Sequence, residues 1–519
     1  MRNLITRRKV LGLLAGGTLF SSSVRRLFSA VTTTIEPSVP RFHVNAATGR
    51  INDPQRPLWI NDSWHLWILW NSDFPHHRGG TVWLHFSSID LVHWSQRGTS
   101  IPKDTTPYGD VWTGSSVIDR HNSAGFGRGT VLALMTMPCK PLGGQGTGRW
   151  YSHDGGSSFR FDSVVMTNPR AKDQSLKDKV FRDPSVFWHD PSQSWVMSLA
   201  EPGQIGFYRS SDLRSWKSSG TFQNAGLGTL ECPNLFALPL HGTDGTTVSE
   251  KWVLWCGANG TASGFTTGTH YWLGTFDGHR FEPDEADGAW LDGGPDFYAA
   301  TAFGGGSANP LEPTFAVAWM NNWNYADAVQ EQGYIGQLSL VRELRLQLVD
   351  GKPTLQNRPI DAASSLFKTS IRGKDQIVSA GQEYVWPDGA AQACCRIDFT
   401  LSSVRNSWPE AIYLSLRGGG DYMTHLEFNP AARNMLLDRG RCGPIPKEGD
   451  AWKTRRSVQC NFTSSLSVSI FLDVGSIEVF LNDGAPTMSA LLTAPLDATA
   501  LQLTVIGGQV GVSSVKISK

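Results

Sequence analysis

The chain has little charge, no excess of either sign, and few long apolar segments. Its 519 residues carry 46 Lys plus Arg against 46 Asp plus Glu, and only 18% of the residues are charged. This balance gives no electrostatic reason to expect a nucleic acid or an anionic membrane surface as a partner. After residue 30, no apolar run approaches the ~20 residues of a transmembrane helix. We therefore predict that neither nucleic acid nor membrane is a partner.

Metal and cofactor motifs are also missing from the sequence. His76 and His77 are adjacent, but no His-Glu-x-x-His pattern and no nucleotide-binding glycine loop stands out. The seven cysteines have no zinc-site spacing. They are Cys139, Cys232, Cys256, Cys394, Cys395, Cys442 and Cys460. We predict no metal and no cofactor, and mostly free, buried thiols; one disulfide among the last four cysteines is the alternative.

The N-terminus has the three parts of an export signal. Arg7-Arg8 forms a twin-arginine pattern, an apolar stretch covers Val10 to Phe20, and small residues near Ser29-Ala30 offer a cleavage site. The alternative is a chance Arg-Arg pair in a disordered tail. We predict a twin-arginine-type signal peptide over residues 1–30 and export to the periplasm or the cell exterior.

The composition and a degenerate repeat indicate an all-β fold. The chain contains 54 Gly and 20 Trp, which suits many strands joined by turns. The repeat consists of an alternating strand, a turn at Asp and an aromatic residue that begins the next strand. Its closing aromatics lie 57 to 65 residues apart, at Trp94, Phe159, Trp216 and Phe281. Such a period predicts a β-propeller of five blades over residues 38–365.

The C-terminal part has a different residue pattern. Leu466 to Ile470 alternates strictly between apolar and polar residues, and Asn482-Asp483-Gly484 is a hairpin-turn signal. Short alternating strands with turns between them predict a β-sandwich over residues 375–519. The predicted fold class is therefore all-β, with a five-bladed β-propeller followed by a C-terminal β-sandwich.

Three short acidic motifs lie in the first half of the chain. They are Asn52-Asp53-Pro54, Arg182-Asp183-Pro184 and Glu231-Cys232-Pro233. Two carboxylates that face one bond can cleave a glycosidic linkage, and a third can stabilise the developing sugar cation. Taken singly, Asp53 also fits a turn or cap, Arg182-Asp183 a structural ion pair and Glu231 a satisfied interior carboxylate.

Together with further motifs, these residues support a family assignment. The additional motifs, in chain order, are Trp112-Thr113-Gly114-Ser115, Asp296-Phe297-Tyr298-Ala299, Ala318 to Trp323, and Leu340 to Leu344. In this order the chain resembles glycoside hydrolase family 32, the retaining β-fructofuranosidases. The resemblance covers nearly all of the mature chain. It implies a five-bladed propeller followed by a β-sandwich, in agreement with the reading of the repeat.

The resemblance also implies roles for individual residues. Asp53 matches the nucleophile that forms a covalent fructosyl ester, Glu231 the acid/base, and Asp183 the transition-state stabiliser. Residues that we expect to contact the substrate are Asn52, Gln55, Arg56, Trp112, Thr113, Arg182, Tyr298 and Trp319.

The chain departs from the family pattern around the expected first sugar subsite. Most members have Asn-Gly or Asn-Ala after Asn-Asp-Pro, where this chain has Gln55-Arg56-Pro57. A glutamine that usually contacts the fructosyl unit is replaced by Leu69, and a usual tryptophan by the region His76-His77-Arg78. Gln55, Arg56 or His77 could supply substitute contacts. This set of variants resembles the levan-acting branch more than the invertases.

We therefore predict a retaining glycosidase that cleaves β-fructofuranosidic bonds in fructans, foremost β-2,6-linked levan. The expected partner is a fructan or fructo-oligosaccharide, and the oligomeric state stays open. Three alternatives remain: a levan fructotransferase that releases a difructose dianhydride, an inulinase or invertase, and a fructan-binding protein without turnover.

Overall fold

The described part of the chain consists almost entirely of strands. The computed structural model describes residues 39–76, 79–170, 180–261, 264, 267–304, 313–327, 334–446 and 449–519. The predicted signal peptide over residues 1–30, as well as His77 and Arg78, lies outside these residues. The described helices are short: α1 (Gly449–Lys453) and the 3-10 turns Lys140–Leu142, Asp190–Ser192, Ala225–Leu227 and Asp361–Leu366. No helix in the described ranges is long and apolar enough to cross a membrane.

The first three blades are separate antiparallel sheets, each with its strands in chain order. Blade 1 contains β1 (Gly49–Ile60), β2 (Ser63–Asn71), β3 (Val82–Ser88) and β4 (Ser95–Ile101). Blade 2 contains β5 (Gly114–Asp119), β6 (Thr130–Met137), β7 (Gly146–Ser152) and β8 (Arg160–Thr167). Blade 3 contains β9 (Arg182–His189), β10 (Ser194–Glu201), β11 (Gln204–Ser210) and β12 (Lys217–Gln223).

Blades 4 and 5 are joined through a short parallel pairing between β13 and β22. Blade 4 contains β13 (Glu231–His241), β14 (Thr247–Ala258), β15 (Gly268–Phe276), β16 (Phe281–Pro283) and the short β17 (Ala289–Trp290). Blade 5 contains β18 (Tyr298–Gly304), β19 (Thr314–Met320), β21 (Gln337–Leu338), β22 (Arg342–Val349) and β23 (Lys352–Pro359). Between β19 and β21, β20 (Tyr334–Ile335) leaves blade 5 and pairs in parallel with β1.

The first strand of every blade lies at the centre of the propeller. Strands β1, β5, β9, β13 and β18 contact one another in sequence, and β18 contacts β1, so the ring is closed. Closure removes exposed sheet edges around the axis. Residues at the starts of the five strands bond to one another and residues near their ends line one cavity, so all five run in the same direction along one central channel. The predicted five-bladed propeller is confirmed.

The repeat seen in the sequence is a turn organised by an aspartate. Asp90, Asp154, Asp212 and Asp277 each accept backbone N–H groups from residues two to four positions further on. Each aspartate lies between the third and fourth strands of its blade. An aspartate in this position satisfies the turn's own backbone donors, which is why the repeat marks the blades.

The C-terminal region forms the predicted sandwich of two antiparallel sheets. One sheet has the order β24-β35-β26-β31-β32-β33, with β25 paired to β35, and the other has the order β30-β29-β28-β27-β34. Their strands are β24 (Ser370–Arg372), β25 (Gln376–Ser379), β26 (Cys395–Ser403), β27 (Ala411–Gly419), β28 (Tyr422–Asn429), β29 (Asn434–Arg441), β30 (Arg456–Gln459), β31 (Ser465–Asp473), β32 (Ser476–Leu481), β33 (Thr487–Leu491), β34 (Ala500–Ile506) and β35 (Gln509–Ser518).

Apolar side chains fill the sandwich and the spaces between blades. Trp67, Trp83 and Trp150 are fully buried in the core shared by blades 1 and 2. All seven cysteines are buried and unpaired. The expectation of free, buried thiols is therefore confirmed, and the alternative of a C-terminal disulfide is not.

A buried ionic cluster joins the propeller to the sandwich. The Arg342 guanidinium on β22 lies 2.8 Å from Asp292 and 2.5 Å from Glu478 on β32, and all three side chains are inaccessible to solvent. Burial opposes the charge on Arg342, but the two carboxylates raise its pKa above the ordinary value. A second arginine, Arg439 on β29, pairs with Asp296 at 2.6 Å.

His43 extends the cluster on the propeller side. Its Nδ1 lies 2.8 Å from Asp473 and its Nε2 lies 2.8 Å from Glu478. Burial favours the neutral ring, yet the hydrogen bonds and charges of both carboxylates raise the pKa of His43 to about 9. The cation is therefore retained at neutral pH and balances the carboxylates of the sandwich.

We predict that Arg342→Ala destabilises the protein by about 3–5 kcal/mol, because it removes the guanidinium that two buried carboxylates share. Arg345→Ala on the same strand removes a partly exposed ion pair with Glu343 and serves as the control, with a loss of about 1 kcal/mol or less. Denaturant unfolding of both variants measures the difference. Equal stabilities for the two variants would contradict the role of the buried cluster.

Candidate active site

The acidic motifs of the sequence meet at one end of the central channel. Asp53 lies near the start of β1, Asp183 near the start of β9 and Glu231 at the start of β13. Because the inner strands are parallel neighbours around one axis, their starts converge. The charges of Asp53 and Glu231 both act on Asp183, which places the three carboxylates in one electrostatic environment.

Prolines give the inner strands their shape at these positions. Each acidic motif ends in a proline, which has no N–H for the strand ladder and restricts the residue before it. The pairing of β1 shifts between Ile51 and Pro54, and that of β13 shifts between Glu231 and Asn234. Asp183 and Cys232 adopt left-handed backbone angles, with φ of 60° and 50°. Such bulges redirect side chains, here toward the channel end.

Asp53 is the most isolated carboxylate of the three. It is 8% exposed, its Oδ2 accepts a hydrogen bond from the Thr113 hydroxyl, and its Oδ1 is buried without a hydrogen-bond partner in the described part of the chain. Burial raises the pKa of Asp53 to about 6; the charge of Glu231 adds to the rise, and the Thr113 hydroxyl opposes it. A carboxylate that is short of partners keeps its lone pairs available for chemistry.

Asp183 lies beside Asp53, with one cysteine in contact with both. The Cys232 backbone N–H donates to Asp183 Oδ2 at 3.0 Å, and the Cys232 Sγ lies 3.6 Å from Asp183 Oδ2 and 3.7 Å from Asp53 Oδ2. Burial raises the pKa of Asp183 to about 7 despite the opposing charge of Arg182. Burial and the neighbouring anions also raise the pKa of the Cys232 thiol, so it stays protonated.

Glu231 is held between a cation and a phenol. Arg182 Nη2 lies 2.8 Å from Glu231 Oε1, and the Tyr298 hydroxyl donates to Oε2 at 2.6 Å. Burial and the adjacent Glu231 raise the pKa of Tyr298 well above its ordinary range, so Tyr298 acts as a hydrogen-bond donor. Both oxygens of Glu231 are thereby fixed at the channel end.

The remaining predicted residues fall into two groups. Asn52 and Trp112 are half-buried neighbours of Asp53 and Thr113, and Trp319 is fully buried in one apolar cluster with Tyr298 and Cys232. Trp319 therefore packs behind the residues that contact Glu231 and Asp183. Leu69, at the position where the family usually has glutamine, packs in the apolar core instead.

Gln55 and Arg56, which we expect to contact the substrate, both make hydrogen bonds within the protein. The amide of Gln55 is fully buried; it donates to the Asp53 carbonyl at 2.7 Å and accepts from the Gly114 N–H at 2.7 Å. Arg56 Nη1 donates to the Val186 carbonyl at 2.5 Å, further along the channel. The backbone thus uses both polar ends of Gln55, and the length of Arg56 carries its guanidinium away from the three carboxylates.

Sequence reasoning missed Thr136 on β6. Its hydroxyl accepts from the Asp183 N–H at 2.7 Å and donates to the Thr113 carbonyl at 2.9 Å, so it ties two site segments together. The available signal was a hydroxyl in the otherwise apolar stretch Val131 to Met137. A fully buried hydroxyl in such a strand requires partners.

A propeller that gathers three partly desolvated carboxylates at one end of its channel has the arrangement of a glycosidase. The glycosyl hydrolases family 32 N-terminal domain matches residues 43–359, and the family's C-terminal domain matches residues 363–519. The chain belongs to glycosyl hydrolases family 32. The resemblance inferred from the motifs is confirmed, and so is the prediction of a glycosidase.

Individual relatives agree with this assignment. The levanbiose-producing levanase of Bacillus subtilis (strain 168) is 36% identical over 84% of this chain and 82% of the relative. The extracellular exo-inulinase of Aspergillus niger is 30% identical over 91% of this chain and 93% of its own length. The crystal structure of the Aspergillus awamori exo-inulinase superimposes with a TM-score of 0.80 at 26% identity, covering 93% of this chain and 98% of that chain.

Proposed function

We propose that this protein is a retaining β-fructofuranosidase that cleaves fructans, with β-2,6-linked levan as its preferred substrate. The observation that carries the proposal is the convergence of Asp53, Asp183 and Glu231 at one channel end. The levan preference is supported by the similarity to the levanbiose-producing levanase and by the departures from the family pattern at Gln55-Arg56-Pro57 and Leu69.

Asp53 is the nucleophile in this mechanism. Its carboxylate attacks the anomeric carbon of a fructosyl unit, the bond to the leaving oxygen breaks, and a covalent ester forms. The nucleophile must be deprotonated, so its pKa of about 6 sets a lower pH limit for attack. The hydrogen bond from Thr113 stabilises the charged form and holds the oxygen in place.

Glu231 is the acid/base. It donates a proton to the leaving oxygen and then removes one from the water that hydrolyses the ester, with retention of configuration. Arg182 and Tyr298 orient its two oxygens. Retention requires the two reacting carboxyl groups to lie about 5–5.5 Å apart, a separation that leaves no space for a water between nucleophile and sugar.

Asp183 stabilises the transition state. Its carboxylate is held by the Cys232 N–H. It accepts hydrogen bonds from furanose hydroxyls while positive charge develops at the ring. Asn52 and Trp112, which are half-buried, contact the sugar, and the fully buried Trp319 supports Tyr298 and Cys232. We assign Gln55 a positioning role, because its amide binds the backbone on both sides of the site.

We further propose that the protein is exported. The sequence of residues 1–30 has the twin-arginine pattern, and the Aspergillus relatives are named extracellular enzymes. A polymeric substrate that cannot enter the cell suits this location. Seven buried, unpaired cysteines are compatible with folding in a reducing compartment before export.

The decisive experiment compares products from levan, inulin and sucrose under identical conditions. We expect kcat/KM to be highest for levan and the products to be fructose or levanbiose. Mass analysis separates these sugars from a difructose dianhydride, which lacks one water. Release of the dianhydride would identify an intramolecular transferase, and faster turnover of inulin or sucrose would contradict the levan preference.

We predict that Asp53→Asn, Asp183→Asn and Glu231→Gln each reduce kcat by about 10³-fold or more, because each removes a charge or a proton donor while keeping the side-chain shape. Asp497→Asn, at an exposed position in the sandwich, is the control and retains full activity. Thermal unfolding checks that the variants fold. Near-native turnover in any of the three site variants refutes the role of that residue.

We predict that Thr113→Val moves the acidic limb of the kcat/KM profile upward by about one pH unit. The Thr113 hydroxyl lowers the pKa of Asp53, so its removal raises that pKa. A larger fraction of Asp53 is then protonated, and therefore unable to attack, at a given acidic pH. Thr113→Ser keeps the hydroxyl and the wild-type profile. An unchanged or downward-shifted limb in Thr113→Val would contradict the assignment of this limb to Asp53.

A further inference from the structure

The central channel has a second cavity at the end opposite the carboxylates. It encloses about 540 Å³, within the range of small-ligand sites (~300–1,000 Å³). Its lining comes from the later residues of the inner strands, among them Trp59 of β1, Ile118 of β5, Trp188 of β9 and Phe236 of β13.

This cavity is separate from the active site. Trp188 follows Asp183 by five positions along β9, and Phe236 follows Glu231 by five along β13. At ~3.3 Å per residue these steps correspond to about 16 Å. Arg56 lies between the two ends, with its guanidinium bonded to Val186 and Ser185 across the channel.

Aromatic surfaces line the second cavity. Trp59 is 45% exposed, although large aromatic side chains are normally well covered. His121 stacks on Trp188 with ring centroids 4.2 Å apart and an interplanar angle of 26°. Flat aromatic rings in a cavity can stack on the apolar C–H face of a sugar ring. This contact removes apolar surface of both groups from water, which favours binding.

Charged groups complete the lining. Arg120 and Asp190 are exposed at the rim, and Asp190 accepts from the Trp188 indole N–H at 2.8 Å. Arg56 makes no ion pair within the described residues, and burial lowers its pKa to about 10. Guanidinium donors and a carboxylate acceptor near aromatic faces match the alternating hydroxyls and C–H faces of a carbohydrate.

We propose that this cavity is a second fructan-binding site, remote from the site of cleavage. The inference rests on the proposed function, because the ligand is the same polymer. A levan chain held here keeps its neighbouring branches and ends close to the active site and raises their effective concentration. The second site therefore acts on the polymer and leaves the cleavage of short substrates unchanged.

Levan binding is tested by native electrophoresis in gels that contain levan, with dextran gels as the comparison. The Asp53→Asn background prevents digestion of the polymer. We expect Trp59→Ala and Arg120→Ala to weaken retardation by levan about fivefold or more, as is usual for the loss of an anchoring side chain. Trp59→Phe retains a ring and partial retardation, and Val385→Ala, exposed on the sandwich, retains all of it.

The same substitutions in the active protein provide the second readout. We expect Trp59→Ala to raise KM for levan and to leave kcat/KM for a short levan oligosaccharide unchanged. Wild-type retardation in both Trp59→Ala and Arg120→Ala, equal retardation by dextran, or an equal loss on the short oligosaccharide would overturn the proposal. A protein that binds levan through Trp59 but cleaves no fructan would refute the proposed function and leave the second site intact.

Discussion

Closure of the inner ring is the constraint on which the site depends. Five parallel strands share one axis, so residues 130 or more positions apart in sequence, such as Asp53 and Asp183, become neighbours without any local contact between their motifs. Each of the three acidic motifs contains a proline and coincides with a shift in strand pairing. The geometry of the carboxylates is therefore a property of the whole circle rather than of any single blade.

The protein treats buried charge in two opposite ways. At the interface between propeller and sandwich, Arg342, Arg439 and His43 form ion pairs with the buried carboxylates around them. Each buried negative charge there is balanced by a positive one. At the channel end, Asp53 and Asp183 are desolvated with incomplete compensation, and their pKa values rise to about 6 and 7. Incomplete compensation lowers stability, but it moves the pKa values of these groups towards neutral pH, as the proposed catalytic roles require.

What could be predicted from the sequence was local or carried by motifs. Asp90, Asp154 and Asp212 accept hydrogen bonds from the backbone N–H groups of their own turns. These turns need no tertiary contact, so their spacing in the sequence marks the blades. The acidic residues followed from family motifs. Gln55 accepts from Gly114, 59 positions away, and Arg56 donates to Val186, 130 positions away, and only the closed ring brings these partners within reach. The position of Gln55 and Arg56 next to Asp53 in the sequence does not reveal which end of the channel their side chains reach.

The parallel pairing of β20 with β1 also bears on the order in which the protein is made. It joins residues Gly49 and Arg50 to Tyr334 and Ile335, nearly three hundred residues later in the chain. During synthesis β1, which carries Asp53, is the first strand of the propeller to emerge, yet the edge that faces away from β2 pairs only with β20, between strands of the fifth blade. The first strand of the propeller thus completes its pairing only with the last blade, so the start of the chain's β-structure is stabilised by nearly its whole length.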